Sequence, residues 1–180
     1  MNFETLKATI PDFAKDLRLN LGVIGGASAL TPTQAWRVAL ASALATRDPE
    51  LTSAVLGEAD ALLDEAGRRA AGTAASLMGM NNVYYRFVHL TSNPAYGQLP
   101  AKLRMQGIAA PGVDKEDFEL MALAVSAIHG CGMCLDSHEA VLAKAGVRTE
   151  AIQEAVRIAA VLHGIAVARS AGRSLEPQVA

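Results

Sequence analysis

Apolar residues recur along this chain at helical spacing, three and four positions apart, over nearly its whole length. Alanine is abundant, and no run of β-branched and aromatic residues has the two-residue period of a strand. The sequence therefore predicts an all-α fold, a bundle of about eight helices in which a cysteine pair opens one helix. Their approximate bounds are residues 11–21, 31–46, 48–63, 64–88, 100–108, 114–129, 131–145 and 149–171.

The predicted helix boundaries depend on capping residues. Thr31-Pro32-Thr33-Gln34 combines an N-cap, a proline at the first helical position and a capping-box glutamine. Asp114 and Thr149 are candidate N-caps of later helices, and Gly130 and Gly146 are candidate C-terminal stops. Residues 91–98 carry loop-forming residues and are predicted to be irregular.

Composition places the chain among ordinary folded proteins. No linker divides it, so we expect one domain over residues 1–172 and a C-terminal tail over 173–180. The 180 residues are 51% hydrophobic, enough for a substantial core, and only 19% are charged, which suits an oligomer interface. A net charge of −2 lacks the basic footprint of a nucleic-acid binder.

The sequence also predicts a cytoplasmic location. The first residues lack the basic and apolar regions of a signal peptide. The longest strongly apolar stretch, 158–168, is interrupted by His163 and is too short for a membrane span. We therefore expect no membrane association.

The two cysteines of the chain lie three residues apart, in Cys131-Gly132-Met133-Cys134, and His138 follows. Residues three and four apart share one face of a helix, so the two sulfurs and the imidazole form one stripe. A helix that begins at Cys131 would offer unpaired backbone N–H groups, which stabilise a thiolate. In a reducing cytosol such a pair is more often catalytic or metal-binding than a structural staple.

This stripe suits a dithiol that cycles through a disulfide. A thiolate at Cys134 can attack the O–O bond of a peroxide and become a sulfenic acid. Cys131 then condenses with the sulfenic acid, forming the disulfide and releasing water. His138 can accept a proton from Cys134 directly or through water. A separate dithiol must reset the pair by exchange.

A metal site is the alternative interpretation. Cys131, Cys134 and His138 are zinc-ligand types, and Glu119 is a candidate fourth ligand. The chain has no second CxxC motif or histidine pair, which structural zinc sites usually contain, so redox chemistry is favoured. A helical interaction protein without redox chemistry is a further alternative.

Glu119 is the only charged residue from Phe118 to Cys134, on a segment that is apolar on every side. Its burial is expected, and a buried carboxylate needs a partner or takes a raised pKa. Glu119 is therefore a candidate proton acceptor. A straight helix would put it about 18 Å from Cys131, so a bend or a different packing is required.

Three further polar residues are less clear from the sequence. His129 lies two residues before Cys131 and could tune the site, although packing or solvent exposure is favoured. Asn81 and Asn82 end an apolar helical segment. They are either site or interface groups, or capping and core hydrogen-bonding groups.

The spacing of Glu119, Cys131, Cys134 and His138 resembles the signature of the alkyl hydroperoxidase D family, within the broader carboxymuconolactone decarboxylase-like group. The similarity extends essentially from Met1 to Gly172. It includes Leu17–Leu21, Met78–Arg86, Leu103–Met105, Ala110–Gly112 and Phe118–Leu120.

The resemblance implies an all-helical subunit, usually assembled as a trimer, with thiol-dependent peroxidase activity toward alkyl or hydrogen peroxides. It also implies electron transfer from dihydrolipoamide, carried on a lipoylated acyltransferase, to a peroxiredoxin. Cys134 resembles the peroxidatic cysteine, and Cys131 the proton donor and resolving cysteine. His138 and Glu119 resemble proton-relay residues. The redox-active disulfide Cys131–Cys134 needs no bound cofactor or metal.

This chain departs from the family pattern at two positions. Met133 stands where some members have a histidine, and His129 stands where the family can have an asparagine. We hypothesise that the imidazole has moved around the site or that proton transfer is weaker. An unchanged rate across pH in a Met133→His variant would show that this position is silent.

Overall fold

The computed structural model describes residues 2–175, and this range contains nine α-helices and no β-strand. The all-α prediction is confirmed, and the cysteine pair opens a helix as expected. The helices are α1 (Phe3–Ala8), α2 (Asp16–Asn20), α3 (Pro32–Thr46), α4 (Pro49–Ala59), α5 (Glu65–Leu90), α6 (Gln106–Ala109), α7 (Lys115–His129), α8 (Gly132–Lys144) and α9 (Thr149–Leu175).

Helix α7 lies at the centre of the fold and packs against α3, α5, α8 and α9. Every residue from Asp117 to Ser126 is buried, which explains why this segment is apolar on all sides. Helix α8 also packs against α5. The polar groups that α7 does carry must therefore find partners inside the protein.

Most of the predicted helix boundaries are correct. Thr31 and Gln34 form the expected capping box at the start of α3. Asp114 occupies the N-cap position of α7, although its side chain makes no capping hydrogen bond. Gly130 and Gly146 adopt left-handed backbone conformations, with φ of 66° and 81°, where α7 and α8 end.

The prediction of one helix over residues 11–21 was wrong. The segment forms a 3₁₀ turn at Asp12–Ala14, the short helix α2 and a second 3₁₀ turn at Leu21–Val23. Its ends are fixed in the core by Ile10 and Leu21, each 1% exposed, whereas Leu19 is 82% exposed. Arg18 bonds to the Ile10 carbonyl and to Asp12, and these contacts hold the segment in its irregular path. The sequence analysis also missed α1, which Asn2 caps by accepting from the Thr5 backbone N–H.

The predicted helix over residues 100–108 is also mostly irregular. Lys102 adopts a left-handed conformation with φ of 52°, which no continuous right-handed helix can contain, and only α6 is helical. The predicted loop 91–98 includes a 3₁₀ turn at Pro94–Gln98. Near the C-terminus, helix α9 includes residues 173–175, which were predicted to belong to the tail. Residues 176–180 lie outside the described range.

Helix α9 is the one helix within residues 2–175 whose length and composition would permit a membrane span. An 18-residue window has a mean hydropathy of 1.4, but 61% of that window is buried inside the protein. The helix contacts α3, α7 and α8, and a core helix of a folded domain passes the same test. We therefore describe α9 as a core helix.

Two buried carboxylates connect α9 to earlier parts of the chain. Arg169 donates from Nε to Asp48 Oδ2 at 2.9 Å, and it also pairs with Glu50 and Thr9. Burial opposes the charge of Asp48, but the hydrogen bond from Arg169 and the backbone N–H donors outweigh it, so the pKa of Asp48 is lowered. This cluster joins α9 to the start of α4 and the end of α1.

The second carboxylate, Glu154, anchors the segment before α3. It accepts hydrogen bonds from the backbone N–H groups of Ser28, Ala29 and Leu30 at 2.9–3.2 Å, and from the Ser28 hydroxyl. Burial raises the pKa of Glu154, but these donors lower it by more, and the net pKa lies below its ordinary value.

We expect Glu154→Gln to lower the free energy of unfolding at pH 7 by about 1–3 kcal/mol, because a buried acceptor is lost. The wild-type contribution is complete above the unfolded pKa, about 4.3, and disappears as the pH falls through the lower folded pKa. Urea unfolding between pH 7 and pH 3 should show a smaller acid dependence in the variant. Parallel pH curves would contradict this account.

Candidate active site

Both cysteines lie at the start of α8. Cys131 is the N-cap residue with extended backbone, and Cys134 occupies the first turn. The two form a disulfide with their Cα atoms 5.3 Å apart. Both sulfurs lie within one helical turn, close enough to form a bond, as the three-residue spacing predicted.

The bend that Glu119 requires is the reversal at Gly130. Helix α7 ends there, where the backbone N–H of Gly130 donates to Ala127 O and that of Cys131 donates to Ser126 O. Helix α8 then runs back along α7. This reversal, which the spacing alone could not predict, brings Glu119 to the level of His138.

Glu119 and His138 form a buried pair. The Glu119 Oε2 atom lies 2.6 Å from His138 Nδ1, and the two residues are only 6% and 9% exposed. A carboxylate and an imidazole at this distance share one hydrogen bond. The pair can thus exchange a proton with a group beside it.

The second nitrogen of His138 has a partner that the sequence analysis missed. Met78 of α5 places its Sδ atom 3.2 Å from His138 Nε2. The ring therefore lies between a carboxylate on α7 and a thioether on α5. No local sequence signal identifies Met78, because the contact spans 60 residues.

A pocket of about 400 Å³ opens beside Cys134. Its polar or reactive lining residues are Asn81, Tyr85, Glu119, Cys134, Ser137 and His138, and its apolar ones are Met78, Met105, Ile108, Met133 and Val141. Cys134 is 7% exposed and lines this pocket, whereas Cys131 is completely buried and does not. An incoming molecule therefore meets the Cys134 sulfur first.

A larger cavity of about 590 Å³ lies at the C-terminal end of α9, around Thr9, Glu50 and Arg169. None of the four predicted site residues lines it. Size alone would favour this cavity over the pocket beside Cys134, but the reactive groups favour the latter.

The amide pair at residues 81–82 divides into two different roles. Asn82 accepts from the Ser126 hydroxyl at 3.1 Å, and its amide nitrogen lies 3.0 Å from His129 Nδ1. Asn82 is therefore a core hydrogen-bonding residue, one of the alternatives that the sequence left open. Asn81, which is 5% exposed, lines the pocket, and its Oδ1 atom is buried without a hydrogen-bond partner among residues 2–175.

His129 lies outside the Cys134 pocket, as the packing interpretation favoured. Burial lowers the pKa of His129, and the positive charges of Arg47 and Arg86 lower it further. A neutral ring with Nδ1 as acceptor fits the hydrogen bond from Asn82. His129 thus acts as a packing residue between α5 and α7.

The structure gives no support to the metal-binding alternative. Among residues 2–175, no group of three or more His, Cys, Asp or Glu side chains has an arrangement that would hold a metal ion. The two cysteine sulfurs are bonded to each other, and Glu119 faces His138.

Residues 94–176 match the carboxymuconolactone decarboxylase family. The chain is 52% identical to alkyl hydroperoxide reductase AhpD of Rhodospirillum centenum, covering 99% of this chain and 96% of that protein. It is 53% identical to the protein of the same name from Bradyrhizobium sp., and the match covers 100% of this chain and 99% of that protein. It is 55% identical to alkyl hydroperoxide reductase AhpD of Rhodopseudomonas palustris, and the match covers 96% of this chain and 95% of that protein.

Proposed function

The chain belongs to the alkyl hydroperoxide reductase AhpD family, and from this membership we propose that it reduces organic hydroperoxides through a Cys131–Cys134 dithiol–disulfide cycle. One observation carries the proposal. The pocket that Cys134 lines also contains the hydrogen-bonded Glu119–His138 pair, so a nucleophile and a proton-exchanging pair border the same space.

The oxidative half of the cycle begins at Cys134. Its thiolate attacks the terminal oxygen of the hydroperoxide, the O–O bond breaks, and the alkoxide takes up a proton and leaves as an alcohol. Cys134 is then a sulfenic acid. The Cys131 sulfur attacks the Cys134 sulfur and displaces hydroxide, which leaves as water. Two thiols and one hydroperoxide become one disulfide, one alcohol and one water.

The Glu119–His138 pair exchanges the protons of this cycle. His138 follows Cys134 by one helical turn, so the imidazole and the sulfur lie on the same face of α8. The pair accepts the thiol proton before the attack and supplies a proton to the leaving alkoxide. We assign Cys131 as the resolving cysteine and as the donor of the proton that leaves with the displaced hydroxide as water, because its buried sulfur is the one bonded to the Cys134 sulfur.

Dihydrolipoamide is the proposed external reductant. One of its thiolates attacks the Cys134 sulfur, which lines the pocket, and Cys131 leaves as the thiol. Its second thiol then displaces Cys134 and closes the lipoamide disulfide ring. A lipoylated acyltransferase is the proposed carrier, and a peroxiredoxin disulfide is a second proposed electron acceptor.

We also propose that the protein acts in the cytoplasm as a homotrimer. A dithiol cycle that an external dithiol resets suits a reducing compartment. Apolar side chains cluster at the C-terminal end of α5 and in the segment that follows, where Val83 is 63%, Leu90 is 72% and Leu99 is 61% exposed. Apolar surface of this kind suits a subunit interface.

Titrating the fully reduced, metal-free protein with cumene hydroperoxide tests this function. The chain contains two cysteines, so one equivalent of hydroperoxide should remove both thiols and yield one cumyl alcohol per subunit. Dihydrolipoamide should then restore both thiols. Glutathione should do so more slowly, because a monothiol cannot close its own disulfide ring.

Protein alkylated at both cysteines is the control and should leave the hydroperoxide intact. Persistence of both thiols in the unmodified protein after excess hydroperoxide would overturn the proposed function. Faster reduction by glutathione than by dihydrolipoamide would instead overturn only the assignment of the reductant.

A further inference from the structure

We propose that Asn81 is a substrate-binding residue whose amide binds the peroxide group at Cys134, its oxygen accepting from the hydroperoxide O–H and its N–H donating to the leaving oxygen. This inference rests on the proposed function and assigns a specific group to the substrate. It starts from a buried polar atom that the folded chain leaves without a partner.

The unpartnered atom is unusual in its location. Within residues 2–175, the buried side-chain atoms without a hydrogen bond are Arg18 Nε, Arg37 Nε, Ser42 Oγ and Asn81 Oδ1. Of these, only Asn81 belongs to a residue that lines the pocket beside Cys134. Buried polar groups in proteins are nearly always paired, so an unpaired acceptor at a reactive pocket points to a ligand that donates a hydrogen bond, as the O–H of a hydroperoxide does.

The position of Asn81 on α5 aims it at the reaction centre. It follows Met78 by three residues, so the two share a face of the helix, and Met78 contacts the His138 ring. The neighbouring Asn82 uses its amide on Ser126 and His129 instead. Two adjacent asparagines thus have different tasks, since Asn82 joins helices and Asn81 keeps its hydrogen-bonding capacity for a molecule in the pocket.

The chemistry of a hydroperoxide requires such a group. Its two oxygens lose hydrogen bonds to water when they enter a pocket walled by Met105, Ile108 and Val141, and that loss is costly unless the protein replaces them. During the attack, negative charge develops on the leaving oxygen, and a fixed neutral N–H donor stabilises that charge. The apolar walls accommodate the alkyl group of the same molecule.

The variant Asn81→Leu tests the assignment. It has a similar volume but no hydrogen-bonding group. The second-order rate constant for oxidation of the reduced protein by cumene hydroperoxide, followed by stopped flow, should fall about 10-fold to 100-fold. The rate of Cys134 alkylation by iodoacetamide should not change, because Asn81 acts on the peroxide and not on the thiolate. Thermal stability should be equal or higher, because an unpaired buried polar atom has been removed.

Two more variants make the test specific. Asn81→Asp keeps the shape but lacks the N–H donor, and it should be at least as slow as Asn81→Leu. Ser42→Ala removes another unpartnered buried atom on α3, outside the pocket, and should react at the wild-type rate.

The outcomes separate this inference from the proposed function. A wild-type peroxide rate in Asn81→Leu would overturn the assignment of Asn81, as would a parallel fall in the peroxide and alkylation rates. A wild-type protein whose thiols survive hydroperoxide would overturn the proposed function itself, and the assignment would fail with it. A selective fall in the peroxide rate supports both.

Discussion

Cys134→Ser is expected to abolish peroxide reduction, lowering turnover by about 10³-fold or more, because a serine hydroxyl cannot replace the thiolate nucleophile. The Cys134 sulfur is the one that lines the pocket, and no other thiol in the chain can take its place there. Steady-state consumption of cumene hydroperoxide with dihydrolipoamide as electron donor measures the loss.

Cys131→Ser is the matched variant and should behave differently. Its Cys134 still attacks the peroxide, so each subunit reduces one hydroperoxide and then stops as a sulfenic acid. Trapping with dimedone, followed by peptide mass spectrometry, should locate the adduct at Cys134. A trapped sulfenic acid at Cys131 in the Cys134→Ser protein, with turnover retained, would reverse the assigned order.

Glu119→Gln is expected to lower kcat/KM for hydroperoxide by about 10²-fold, the usual contribution of a positioned acid–base group. The glutamine preserves size and can still accept the His138 Nδ1–H, but it cannot take up the proton. The pH–rate profile of the variant should therefore change in shape as well as in height. Kinetics between pH 5 and pH 9 measure both effects.

Asp117→Asn provides the matched control. Asp117 is 7% exposed on the same helix, close to the 6% of Glu119, but it pairs with Arg37 and Gln34 and does not line the pocket. This variant should lose stability while its kinetics per folded molecule stay unchanged. Equal rate losses in the two variants would show that Glu119 acts only through packing.

Local sequence signals predicted the local structure of this protein well. The capping box at Thr31, the stop at Gly130 and the shared helical face of Cys134 and His138 all depend on residues within a few positions of one another. Each follows from helix geometry alone. The same reasoning failed over residues 11–21, where Arg18 bonds to the Ile10 carbonyl and to Asp12 across an irregular segment.

The remaining parts of the site depend on contacts that spacing does not encode. Composition predicted that Glu119 is buried, but its distance to His138 depends on the direction in which α8 leaves Gly130. Met78 and Asn81 come from α5, and nothing in their neighbourhood distinguishes Asn81 from Asn82. The direction of each amide becomes known only when α5 packs against α7 and α8.

The reversal at Gly130 also has a consequence for folding kinetics. Glu119 and His138 are separated by 19 positions, whereas Met78 and His138 are separated by 60. Closing a short loop costs less chain entropy, so the α7–α8 hairpin with its acid–base pair and both sulfurs can form before α5 docks. Asn81 and the α5 wall of the pocket join the site only when α5 packs against α7 and α8. The reactive groups of the site therefore meet before its substrate pocket is complete.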